Sequence, residues 1–166
     1  MKGEVSLARV ESVRADNYHE VLAPVREAIS FTETYEEYCA ALQPFTRNQR
    51  LMMALSAYTE ELDGGHVMFF GSPMGVMWQD VQEALRLIGD ERFIKIYDQA
   101  LALFGGAPSF DDDERYGQLE SHEDGFGEVE ALNELDEAYY EIDAQLHEQI
   151  ARFIREHAPD FVCAKG

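Results

Sequence analysis

Lysine is nearly missing from this chain: there are three among 166 residues, and ten arginines bring the basic total to 13 against 33 acidic groups. The formal charge at pH 7 is −20. A surface of that sign repels nucleic acid and anionic lipid and attracts basic proteins. Direct nucleic-acid binding and membrane binding are therefore not expected. Cysteine is scarce too. Cys39 and Cys163 form neither a disulfide framework nor a metal spacing, and the apolar neighbours of Cys39 predict a buried thiol. No apolar run approaches the ~20 residues that cross a bilayer. The opening MKGEVSLARVESVRAD holds scattered charges and no apolar block of ~7–15 residues, so no secretory signal is expected and the cytoplasm is the expected location. Alternating β-branched and aromatic runs are missing as well, which excludes an evident sheet.

What is present is helical. Hydrophobic residues make up 46% of the chain, enough for a packed core. The length suits a single domain. The expected organisation is an all-α, multi-helix bundle over 16–158, a possibly irregular segment at 1–15 and a tail at 159–166. Asp16 is a candidate cap for NYHEVLA, and Pro24 breaks or restarts that helix. Thr32 or Thr34 caps ETYEEYCAAL, with Glu37 in capping-box register to Thr34, and Thr46 with Gln49 repeats that register. Leu51, Leu55, Tyr58 and Leu62 recur three or four apart, one face of a helix. Gly89 suits a C-cap and Asp90 an N-cap. Residues 105–130 read as an acidic, glycine-rich loop with one short helix near DDERYGQLE. A long helix, ALNELDEAYYEIDAQLHEQIARFIREH, closes the chain before Pro159.

The charge is uneven. Residues 111–148 hold 15 acidic side chains and one basic one, Arg115, a net of −14; the other 128 residues carry 18 acidic and 12 basic, a net of −6. On a single closing helix, Leu135, Tyr139, Ile142, Leu146, Ile150 and Phe153 form an apolar stripe. Glu134, Glu137, Glu141 and Glu148 then fall within about 60° of one another on nearly the opposite side, over about 21 Å. That is a mean spacing of ~7 Å, against ~3.4 Å along a DNA strand, so a second row from Asp111, Asp112 and Asp113 is needed to imitate a duplex. Two plainer readings compete. One is an ordinary solvated helix face. The other is adaptation to high salt, which spreads acid everywhere and fits the −14 against −6 division poorly.

The stretch ELDGGHVMFF interrupts the helical pattern. A phosphate-binding loop needs backbone N–H groups at a helix start and usually a basic or hydroxyl neighbour. Here the glycines follow Glu60, Glu61 and Asp63, and no lysine or arginine lies between Arg50 and Arg86. The glycines are therefore read as a turn: Gly64 in the left-handed conformation ending one helix, Gly65 opening the next, and Phe69 and Phe70 packing back.

These residues carry a resemblance. Glu61, Leu62, Asp63, Gly64, Gly65, Phe69 and Phe70, then Gly75, then Ala84, Leu85, Ile88 and Gly89, and later Leu135, Asp136, Tyr139 and Tyr140 are similar to the signature of the DMP-type DNA-mimic protein family, over roughly residues 45–157. The chain departs from that signature at Asp63, His66 and Met68. The resemblance implies an all-helical domain, a homodimer, and carboxylates presented where DNA presents phosphates. Its implied partner is a basic DNA-binding protein such as a transcriptional regulator.

Signals of catalysis are missing. His19, His66, His122, His147 and His157 are scattered, and neither a Glu-x-x-His nor a Cys-x-x-Cys pattern occurs. The acidic loop lacks the order of an EF-hand. His66, beside a glycine turn, is expected to cap or be buried. No cofactor is expected. The function expected from the residues is protein binding, with Glu134, Glu137, Glu141, Glu148 and Asp111–Asp113 as the contact face. The alternatives are an antidote to a basic toxin or nuclease, and an enzyme or metal-dependent protein whose site lacks a known signature.

Overall fold

The computed structural model describes residues 4–124 and 129–163. In chain order its helices are α1 (Leu7–Glu11), α2 (His19–Ala28), α3 (Tyr35–Leu42), α4 (Arg47–Glu61), α5 (Gly65–Gly71), α6 (Trp78–Ile88), α7 (Glu91–Ala102), α8 (Asp112–Glu120), α9 (Glu130–Tyr140) and α10 (Asp143–Glu156). No strand forms among the described residues; one isolated antiparallel bridge joins Val5 to Cys163. The fold is all-α, as the three-and-four spacing predicts. Of the expected loop at 105–130, residues 112–120 are α8, and 125–128 lie outside the described residues.

Local chemistry sets most helix starts. Thr34 and Glu37 form a capping box at α3. At α4 the Gln49 amide donates to Thr46 Oγ1 and the Thr46 amide to the Gln49 side chain, which satisfies two N–H groups that the helix start leaves open. Asp90 caps α7, Asp111 caps α8, and Gly89 closes α6 in the left-handed conformation. Three expectations need correction. Asp16 does not cap α2: it pairs with Arg14, and the helix begins at His19 with Pro24 inside it. The segment 1–15 contains α1, capped by Ser6. Cys39 is half-buried rather than buried.

The chain divides into two compact units, 1–53 with 143–166, and 54–142. The first unit contains α1, α2, α3, the start of α4 and α10. In it α1 packs on α10, Arg155 donates to the Val13 carbonyl, and Asn48 and Thr46 tie the start of α4 to Asp160. In the second unit α5 packs against α8 and α9, and α7 against α6 and α9. Its core is aromatic: the Tyr58 ring meets Phe69, Tyr97 and Tyr139 edge-on with centroids 5.2, 5.3 and 5.8 Å away. Full burial of such side chains stabilises by roughly 1.5–3 kcal/mol each.

The long closing helix is present as α10, but it starts at Asp143, and the earlier part of the expected stretch is the separate helix α9. Glu141 and Ile142 form a turn between α9 and α10, closed by the Ile142 amide on the Tyr139 carbonyl, one residue tighter than a helical bond. No proline or glycine marks this break. The Tyr140 hydroxyl, donating to the Leu62 carbonyl, fixes the end of α9 by tertiary contact instead.

Candidate acidic binding face

The charge follows the two units closely. Residues 54–142 contain 21 acidic and four basic groups, a net of −17; the other unit contains 12 and nine, a net of −3. Of the four basic groups in the acidic unit, Arg115 is buried and Arg92 is held by Asp90 at 2.7 Å. Little positive charge is left there to neutralise the surface.

On α9, Glu134 and Glu137 are exposed, as is Glu141 at its C-terminal end. Glu130, in the first turn, completes the row. At 100° per residue the four lie within about 60° of one another over about 16 Å. Glu130 is not among the contact residues expected from the sequence, although its i, i+4 spacing to Glu134 is a signal that places it on the same face. Glu148 is exposed but sits on α10, in the other unit, so the 21 Å row on one helix does not exist. Asp111, Asp112 and Asp113 are exposed at the start of α8, where negative charge suits the helix dipole. Two of them have structural duties. Asp111 accepts the Glu114 amide at 2.9 Å, and Asp112 pairs with Arg115 at 2.7 Å.

The opposite face of α9 explains the glycine signature. Gly65, not Gly64, has the positive φ: its φ and ψ are 83° and 176°, whereas Gly64 has φ −99°. That backbone state is almost confined to glycine. Gly65 also lacks room for a Cβ, which would strike the Asp136 carboxylate. Asp136 Oδ1 accepts from the His66 amide at 2.8 Å and faces its Nδ1 at 2.6 Å; His66 Nε2 lies 2.6 Å from the Tyr58 hydroxyl. Burial pushes that hydroxyl well above the ordinary tyrosine range, with Tyr139, Tyr97 and Asp136 adding to the shift. The Asp136 carboxylate accepts from Nδ1–H, and Nε2 shares the second hydrogen bond with the Tyr58 hydroxyl. The chain from Tyr58 through His66 to Asp136 thus locks α9 onto α5 and turns the glutamate row outward. Glu61, Asp63 and Gly64 form the bend before it, and Phe69 and Phe70 are fully buried beneath it.

Arg115 makes a second joint. Its guanidinium donates to the carbonyls of Phe70, Ser72 and Ser109 at 2.8, 2.8 and 3.0 Å. Gly75 leaves space for it, since a Cβ there would collide with the Arg115 side chain. The one basic residue of the acidic stretch therefore works as an internal clamp.

A tyrosine, histidine and aspartate in line resemble a proton relay, but His66 is 0% exposed and substrate has no access to it. Among the described residues no group of three histidine, cysteine or acidic side chains could hold a metal ion. Among the described residues no helix is long and apolar enough to cross a membrane. What the surface of the acidic unit can do is attract and hold positive charge.

An all-α protein with an aromatic core beneath its glycine turn and a concentrated acidic face is, by class, an acidic all-helical domain. The family model described as DMP19-like protein matches residues 43–157, and the chain belongs to that family, a family of DNA mimics and not one of known enzymes. No curated protein and no solved structure matches the chain.

Proposed function

We propose that this protein binds the DNA-binding surface of a basic DNA-binding protein, with the unit at 54–142 standing in for a stretch of duplex. The observation that carries this reading is the division of charge, −17 in one unit against −3 in the other. Adaptation to salt would load both units alike. Glu130, Glu134, Glu137 and Glu141 supply one row of charge at a mean spacing of about 5.5 Å; Asp113 and the other acids of α8 add to the field. Pairing into a homodimer would bring two such faces into one particle, and light scattering on the purified protein tests that separately.

The test is affinity capture from native extract at low salt, followed by elution with salt and with duplex DNA. A captured DNA-binding protein that releases its labelled DNA when this chain is added supports the proposal. The double reversal Glu137→Lys with Glu141→Lys should weaken that complex at least about tenfold, given coupling of 1.4 kcal/mol or more. A captured partner that holds this chain and DNA at once would overturn the reading.

A further inference from the structure

Among the large apolar side chains of the acidic unit, two stand out of the core beside the same turn. Met68 is 51% exposed and Tyr140 44% exposed. Met68 extends along the turn at Gly64: a Cβ on Gly64 would lie 3.0, 3.1 and 3.3 Å from its Cβ, Cγ and Cε. The Tyr140 hydroxyl donates to the carbonyl of Leu62, two residues earlier. Both side chains thus flank Leu62–Gly64, one from α5 and one from the end of α9. Glu60, Asp63, Glu137 and Glu141 around them are all exposed.

The physics of binding assigns different work to the two kinds of group. Exposed charges steer association and are screened within ~8 Å at physiological salt. Binding energy concentrates on a few desolvated side chains, with tyrosine prominent among them, and methionine is enriched at interfaces. A ring already held by a hydrogen bond loses little freedom on binding. DNA itself offers an apolar group among its charges, the thymine methyl, which proteins meet with an apolar side chain.

We infer that Met68 and Tyr140 form an apolar anchor inside the acidic field. It takes an apolar side chain flanked by arginine or lysine on a basic helix of the partner. This rests on reading the unit as a DNA mimic, and it adds the chemistry that fixes where the partner sits. The charged row sets the salt dependence of binding. The anchor adds affinity that salt leaves untouched.

The probes are two synthetic helical peptides with arginine and lysine at every third or fourth position, one with a central leucine and one with serine there. Fluorescence anisotropy measures each against the full chain at low and high salt. The leucine peptide should bind about tenfold tighter at both salts, and Met68→Gln, which keeps the side-chain length, should erase that preference. Tyr140→Phe, which keeps the ring, should retain most of it. Equal, salt-dependent binding of the two peptides would overturn the anchor and leave the acidic reading standing. Leucine preference that survives Met68→Gln would overturn the role of Met68. Failure of both peptides to bind even at low salt would overturn the anchor and the mimic reading together.

Discussion

Two adjacent glycines carry unequal burdens. Gly65 has a backbone state closed to other residues and touches the Asp136 carboxylate, while Gly64 has an ordinary φ and only Met68 nearby. Gly65→Ala should cost at least about 2 kcal/mol, and Gly64→Ala clearly less. Urea midpoints of the two variants measure the difference, and a larger loss for Gly64→Ala would show that the turn is built otherwise. The tyrosines predict a pH effect. Burial raises both Tyr58 and Tyr97 well above the usual range. The unfolded chain loses those protons near pH 10 while the folded one keeps them. The stability they contribute is therefore full below about pH 10 and falls as pH rises beyond it. Absorbance of phenolate should show two tyrosines ionising only with unfolding. Tyr97→Phe should flatten the decline of the denaturant midpoint at high pH; an unchanged slope would refute the assignment.

Helices show where sequence is informative and where it is silent. The boxes at Thr34 and Thr46 and the caps at Asp90 and Gly89 were legible because donor and acceptor lie within four residues of each other. The break between α9 and α10 was not, because nothing at Glu141–Ile142 differs from a good helix; its cause involves Leu62, 78 residues before Tyr140. The choice between Gly64 and Gly65 was hidden for the same reason, since Asp136 lies 70 residues beyond His66. The acidic face was half legible: the excess showed in composition, but the division into rows needed the helix ends. On α9 this contrast gives a test with neighbouring acids. Asp136 faces inward with hydrogen bonds to His66, and Glu137 faces solvent. Asp136→Ala should cost about 2–4 kcal/mol by stranding His66. Glu137→Ala should stay within about 0.5 kcal/mol. Equal midpoints for the two variants would mean that the joint does not hold α9.

At the scale of the molecule, the division of charge predicts unequal responses to salt. Self-repulsion in a unit of net −17 opposes its compact state, and added salt screens it. The one tryptophan, Trp78, lies in that unit and is buried, so its fluorescence reports unfolding there. Its urea midpoint should rise with sodium chloride between low and physiological ionic strength. A midpoint that does not move would mean that the carboxylates are already neutralised by bound cations or protons.

The inward turn of Arg115 also makes it chemically silent. Dicarbonyl reagents modify accessible guanidiniums, and this one is covered by three backbone carbonyls and a carboxylate. Reaction at Arg115 therefore has to wait for the clamp to open, whereas exposed Arg14 and Arg86 react from the folded state. The ratio of their labelling rates, read by peptide mass spectrometry, measures the opening equilibrium of the acidic unit under native conditions. Occupation of its surface by a partner should slow the label at a residue the partner never touches.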